Sequence, residues 1–288
     1  MTRYILSFSG GKDSVASWLY LRWELGLDVE PVYAETGHEA PDTYRYLEYL
    51  EERLGPITRV QGTMQQLRET LPDSPLTMLS LAQHKGRFPS AMARFCTTEL
   101  KLVPMKRHLL ARRAEEPAAR FVMVSGLRRE ESRRRAQIEN ARGLDDFMGV
   151  ERWLPLLDWT AAEVFEAHRR HGVAPNPLYQ EGMARVGCFP CIFARKDELL
   201  QIARRRPEAF DRLAHMEAVV GRTFFGPDKT AMAYRQGRDP KTGTAIPRAD
   251  DVRRWATAEL PANGLFDDYD AGDDLTAPAC SSIYGLCE

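Results

Sequence analysis

A chain of 288 residues with 43% hydrophobic side chains suits one large domain, or a domain with a substantial appendage, around a sizeable core. Lys and Arg number 40 against 41 Asp and Glu, so bulk charge does not announce a nucleic-acid binder. No apolar run approaches the ~18 residues of a membrane span, and an odd count of five cysteines argues against a disulfide framework.

Residues 4–8 read as a first strand that begins almost at once. The opening Met1-Thr2-Arg3-Tyr4 lacks the apolar core of a signal peptide, so a cytoplasmic location is expected. A helix is predicted over 13–25, a second strand over 29–34, and a helix opening at Pro41 with Tyr44, Leu47 and Leu50 on one stripe. Residues 57–60 read as a short strand, and 121–124 as a buried strand entering Ser125-Gly126. Alternating β and α predicts a doubly wound, mainly parallel sheet with helices on both faces, whose ligands gather at strand carboxyl ends. Thr160 is a predicted N-cap with Glu163 completing its capping box, and the helix it starts ends at Gly172. The stretch 197–220 is helical with a break at Pro207, and the chain turns loop-rich after Pro227. We place a boundary at 158, giving a nucleotide-binding α/β domain over 1–158 and a helical, loop-rich, cysteine-bearing region over 159–288.

The first strand-to-helix connection is Ser7-Phe8-Ser9-Gly10-Gly11-Lys12-Asp13-Ser14. A glycine pair lets backbone approach a ligand without Cβ clashes. Successive N–H groups and the first helical turn make a pocket suited to phosphate. Lys12 adds a mobile cation, the serines add hydroxyls, and Asp13 can help hold a nucleotide's magnesium. The spacing fits neither the Walker loop nor G-x-G-x-x-G. The plain alternative, a turn rich in small residues, does not account for the whole string.

Cys188-Phe189-Pro190-Cys191 can offer two thiolates to one metal from a tight turn, and Cys280 and Cys287 form a second pair. Zinc, an iron–sulfur centre and a redox pair all use C-x-x-C. The plain alternative is buried small hydrophobes, which suits Cys96 best. Residues 128–135 hold five arginines, able to fork onto phosphate oxygens. A solvated helix face with Glu130–Arg134 pairing is the competing reading, and we assign it to Arg133 to Arg135. Lys101 is a candidate anion ligand. His38 and His84 are loop-borne candidates for proton transfer, more simply read as incidental. Trp159 reads as packing.

The loop string resembles the pyrophosphate loop of the N-type ATP pyrophosphatases. The chain more narrowly resembles the phosphoadenosine phosphosulfate (PAPS) reductase family and its sulfur-transferase relatives. Further blocks carry that resemblance in the family's order: Glu35-Thr36-Gly37-His38, Arg94 through Lys101, Gly126 through Ser132, Pro155 through Trp159, Asn176-Pro177-Leu178-Tyr179, and Gly187 through Cys191. The resemblance implies a nucleotide site of Ser7, Ser9, Gly10, Gly11, Lys12, Asp13, Ser14, Glu35, Thr36, Gly37, Gly126, Arg128 and Ser132. It implies catalytic roles for Lys12, Asp13, Cys96, Lys101 and Arg128. It also implies that Cys96 lies near the C-x-x-C and that four of Cys96, Cys188, Cys191, Cys280 and Cys287 hold a [4Fe–4S] cluster, with zinc as the alternative.

Two reactions follow from the resemblance. A PAPS or adenosine phosphosulfate reductase attacks the sulfonate with a C-terminal cysteine and releases sulfite. A sulfur transferase uses ATP and Mg²⁺ to adenylate an acceptor oxygen, releases pyrophosphate, and substitutes sulfur. The intact loop favours the second, as does the tail Ser282-Ile283-Tyr284-Gly285-Leu286-Cys287-Glu288, which lacks the reductase pattern. The expected partners are an adenine nucleotide, a sulfur donor, an acceptor that is tRNA, DNA or a small molecule, and a second copy in a homodimer. A nucleotide-binding regulatory module with structural zinc is the reading from another class.

Overall fold

The computed structural model describes residues 1–226, 229–239 and 242–258. Six strands form the central sheet: β1 Thr2–Phe8, β2 Val29–Glu35, β3 Thr58–Gln61, β4 Arg120–Ser125, β5 Arg142–Asp145 and β6 Val150–Trp153. Their spatial order is β3-β2-β1-β4-β6-β5, and only β5 runs antiparallel. The chain builds outward from β1 to β3, then crosses to the other side of β1. That reversal opens a crevice between the carboxyl ends of β1 and β4, where Ser7 pairs with Ser125.

Successive residues of a strand face opposite sides, and neighbours on β1 accordingly enter different cores. Leu6 and Phe8 pack with Val15 and Trp18 of α1 (Lys12–Leu19) and with Leu47 and Leu50 of α2 (Pro41–Leu54). Ile5 packs on the other side with Met105 and Leu109. A third cluster joins α3 (Met78–Lys85), the single turn α4 (Phe95–Thr97) and later helices. Residues Thr98–Leu102 form a wide, π-type turn leading into α5 (Val103–Glu115). The short α6 spans Arg133–Ala136.

Thr160 caps α7 (Ala161–Arg170) with its hydroxyl on the Glu163 amide, as anticipated. Helix α7 lies on α1, burying Ala16, Leu156, Val164 and Ala167 together. The last strand of the sheet ends at Trp153, and the helix that follows packs onto the first half of the chain. Pro207 separates α8 (Lys196–Arg205) from α9 (Glu208–Val220). A two-stranded ribbon, β7 Gly237–Arg238 with β8 Ala245–Ile246, precedes α10 (Ala249–Thr257).

Three details correct the sequence reading. Helix α1 gives way after Leu19 to a π-type turn over Tyr20–Glu24 rather than running to residue 25. The third strand sits one residue later than expected. The hairpin of β5 and β6 was not foreseen, because exposed Leu144 and Gly143 leave no apolar alternation in β5.

Candidate active site

The loop after β1 is held from within. Gly10 takes a positive φ of 75°, a conformation costly for residues with a Cβ. Ser14 Oγ accepts from the Ser9 amide at 3.4 Å and donates to the Gly11 carbonyl at 2.9 Å, while Ser9 Oγ accepts from the Gly11 amide at 3.1 Å. Ser7 is buried at the end of β1. The serines therefore shape the loop, and Gly11 caps α1 without a side chain, leaving the positive helix end unblocked by any cap from its own strand-turn.

Asp13 is fully buried between two cations. Lys12 Nζ lies 2.6 Å from one carboxylate oxygen and Arg128 Nε 2.5 Å from the other. Arg128 also donates to Glu130 at 2.5 Å and to the Trp159 carbonyl at 3.3 Å. Burial alone would lower its pKa, but Asp13 and Glu130 outweigh it and raise it. Both Asp13 oxygens are thus spent on cations, which does not fit the magnesium role expected of it. Arg128 is engaged by carboxylates rather than displayed to a phosphate. Gly126 lies so close to α1 that a Cβ there would meet the Asp13 carbonyl oxygen at 2.7 Å. Ser132 caps α6 by accepting from the Arg135 amide at 3.2 Å. Arg135 pairs with Glu131 at 2.5 Å, replacing the expected Glu130–Arg134 pair.

The Glu35 to His38 block follows β2. Burial raises the Glu35 pKa, against the opposing Arg59 at 3.9 Å. Thr36 Oγ1 donates to Glu39 at 2.5 Å and sits 3.7 Å from Cys188 Sγ. Gly37 turns with φ 66°, and a Cβ there would meet Thr77 at 2.9 Å. His38, expected to be an incidental loop residue, is buried with Nε2 donating to the Pro190 carbonyl at 3.1 Å. Burial and then Arg212 depress its pKa to about 3, so it is a neutral strut. Glu39 was missed by sequence reasoning. Its buried carboxylate accepts from the amides of Thr36 and His38 and from Tyr44 Oη, and its backbone bridges to Cys188. A second acid four residues after Glu35 was the available signal.

Cys96, Cys188 and Cys191 line one pocket with Lys101. Burial, then the neighbouring Cys191, pushes the Cys96 thiol up to about 11, against Lys101. Burial pushes Cys188 up to about 12, again with Lys101 opposing. Burial would lower the Lys101 pKa, but Cys188, Glu39, Cys96 and Cys191 together raise it. Lys101 thus stands beside Cys96 and Cys188, whose thiols burial holds protonated, and its charge favours a thiolate once one forms. Among the described residues, no three His, Cys, Asp or Glu side chains are grouped so as to hold a metal ion. Cys280 and Cys287 lie outside the described residues. His84, expected on a loop, instead lies in the last turn of α3. Trp159 packs edge-on against Tyr20, as expected.

Lys12 is gripped by two residues to which the sequence gave no role. Its amide donates to Tyr179 Oη at 2.9 Å, and its carbonyl accepts from His168 Nε2 at 2.8 Å.

These features define an α/β protein with a phosphate-type loop at a topological switch point and a pocket lined by three thiols and a lysine. Residues 3–194 match the phosphoadenosine phosphosulfate reductase domain. The chain belongs to that family and is an enzyme. A 37.8 kDa uncharacterized protein in the gpa 5′ region of Escherichia phage 186 is 35% identical, over 99% of this chain and 96% of its own length. The adenosine 5′-phosphosulfate reductase of Allochromatium vinosum is 32% identical, over 63% of this chain and 64% of that protein. A PAPS reductase crystal structure from Candida auris superposes with a TM-score of 0.46 at 14% identity, covering 66% of this chain and 83% of that one. Among the described residues no helix is long and apolar enough to cross a membrane.

Proposed function

We propose that this enzyme is an ATP-dependent adenylating sulfur transferase. The observation that carries the reading is the loop: Gly10 in its left-handed turn, Gly11 as a bare N-cap, and Lys12 opening α1. Such a geometry suits a pyrophosphate leaving group. The β and γ phosphates rest on the loop amides, with Mg²⁺ carried on the nucleotide's own oxygens. An acceptor oxygen attacks the α phosphorus, the α–β bridging P–O bond breaks, and pyrophosphate leaves with its charge met by Lys12. A sulfur nucleophile then attacks the adenylated atom, and the activated oxygen leaves with AMP. A persulfide donor passes its outer sulfur to Cys96, Cys188 or Cys191 and leaves as a thiol, and the terminal sulfur of that cysteine persulfide is the attacking nucleophile. A second pocket thiolate favoured by Lys101 then cleaves the S–S bond, and an external thiol reductant returns the resulting disulfide to two thiols. Lys12 takes the charge-neutralising role first shared with Arg128, because Lys12 has Asp13 as its ion-pair partner while Arg128 is held by Asp13, Glu130 and the Trp159 carbonyl together.

A [4Fe–4S] cluster, or zinc, belongs to the proposal only as far as its ligands: Cys96, Cys188 and Cys191, with Cys280 or Cys287. Among the described residues, Cys96, Cys188 and Cys191 do not by themselves meet as a ligand set. The sulfur donor, a tRNA, DNA or small-molecule acceptor, and a homodimer are parts of the same proposal.

Sulfonucleotide reduction is the second reading. The relative named adenosine 5′-phosphosulfate reductase favours it, as does a lysine set among thiols. The test supplies ATP or a sulfonucleotide anaerobically with reductant, tRNA and DNA, and assays pyrophosphate and sulfite separately. Acceptor-dependent AMP and pyrophosphate are expected. In Lys12→Ala, pyrophosphate release should vanish and ATP affinity fall by roughly 1.5–3 kcal/mol, the worth of a charged hydrogen bond. Sulfite from a sulfonucleotide, without AMP or pyrophosphate from ATP, replaces this reading with the second.

A further inference from the structure

The residue that most directly occupies the phosphate loop belongs to neither the loop nor any catalytic group named so far. Tyr179 ends a short 3₁₀ turn, Pro177–Tyr179, whose first amides are capped by Asn176 Oδ1 at 3.0 Å from Leu178 N. Its hydroxyl oxygen accepts the Lys12 amide N–H at 2.9 Å. That N–H is one of the few at the start of α1 that the helix itself cannot satisfy. The Lys12 ammonium stands 5.4 Å from the Tyr179 ring centroid, within cation–π range. Phe165 meets the same ring edge-on at 6.2 Å, and from one turn further along α7 His168 grips the Lys12 carbonyl. Tyr179 therefore places a neutral oxygen where the loop would offer its N–H to a phosphate oxygen, and covers the cation that would accompany it.

We propose that Tyr179 is a displaceable cap on the phosphate loop, and that its departure on phosphate binding is passed to the thiol pocket. The inference rests on the reading of the loop as a phosphate site. The transmission has a physical route. Gln180, Glu181, Gly182 and Met183 are tied back to residues 177–179 by consecutive turn hydrogen bonds of 3.0–3.2 Å. Met183 then lines the thiol pocket beside Cys188. A ring that leaves Lys12 carries this stiff turn with it and shifts the pocket wall. Tyr179 acts here as a positioning residue, since it touches the loop rather than the reacting atoms.

Tyr179→Phe keeps the ring and removes the competing hydroxyl. The full chain is titrated calorimetrically with inorganic pyrophosphate, with ATP as a second ligand. The variant is expected to bind pyrophosphate roughly 3- to 10-fold more tightly than wild type, because one hydrogen bond no longer has to be broken. Equal or weaker binding in the variant, with wild type binding normally, overturns the cap and leaves the loop reading standing. A wild type that binds neither ligand sinks the loop reading itself, and the cap with it. A second readout guards against a merely structural role. Pyrophosphate should alter the tyrosine ultraviolet difference spectrum and the maleimide labelling rate of the pocket cysteines in wild type. Tyr179→Phe without ligand should label at the rate of ligand-bound wild type. Labelling in wild type that ignores pyrophosphate overturns the transmission.

Discussion

Arg128→Met is the perturbation that separates two roles for one arginine. If Arg128 meets the nucleotide, its loss weakens binding and spares the fold. If it holds Asp13, as the 2.5 Å contact indicates, its loss strands a carboxylate with no exposed surface. Removing one partner of a buried ion pair costs about 3–5 kcal/mol. Lys12 remains 2.6 Å from the other Asp13 oxygen, so the lower end applies. At roughly 2–4 °C per kcal/mol for a chain of this size, ~3 kcal/mol lowers Tm by roughly 6–12 °C. The assay is thermal unfolding followed by circular dichroism, beside ATP titration of the same samples. Asp13→Asn added to Arg128→Met removes the stranded charge, and the double variant should regain more than half of the loss, a coupling that only neighbours show. A single variant that melts within about 1 °C of wild type while losing ATP affinity more than tenfold would refute the structural role.

Gly126→Ala drives a Cβ to 2.7 Å from the Asp13 carbonyl oxygen, backbone that cannot rotate away. It should cost about 1–3 kcal/mol and weaken ATP binding through the displaced loop, and a fully stable variant with normal ATP affinity would count against that close approach. His38 has a folded pKa of about 3 against an ordinary 6.5. A depressed value means that the stability is present above pH 6.5 and is lost as pH falls towards 3, by up to about 5 kcal/mol. Urea unfolding as a function of pH should show that slope flattened in His38→Asn, and an unchanged slope removes His38 as its source. Anaerobically purified protein should carry metal that Cys188→Ala sheds. Iron with broad absorbance near ~400 nm marks a cluster, stoichiometric zinc a closed thiolate site, and protein free of both ends the metal proposal.

The fold was largely legible because its signals are local. Alternating apolar strands and striped helices give the sheet, and Gly10-Gly11 at the first crossover locates the switch point. The thiol pocket was legible as a resemblance, with Cys96 joining the C-x-x-C across 91 intervening positions or more. The hairpin of β5 and β6 was not, since an edge strand with exposed side chains carries no period-two pattern. Pairings were also hidden. Arg128 in a basic run reads as a phosphate fork, and only the packing of β4 against α1 brings it to Asp13 rather than to solvent. Glu39 sits beside a turn and reveals its purpose only when the Cys188 segment docks against it.

The same docking explains why the two halves of the site belong together. His38 and Glu39 leave β2 and are bound through their backbone to Phe189 and Cys188, with Arg212 of α9 donating to the carbonyls of Glu39 and Phe189. Twelve residues before Cys191, Tyr179 grips Lys12 at the other end of the same segment. One stretch of chain, 176–191, is therefore anchored both to the phosphate loop and to the turn after β2. A change at Lys12 cannot be accommodated by that stretch alone, because its far end is fixed by buried hydrogen bonds that are expensive to break unpaired. Cys188 lies at the second anchor and Cys191 just beyond it, while Cys96 reaches the same pocket from α4, so the C-x-x-C and the Lys12 contact belong to one doubly tethered stretch of chain.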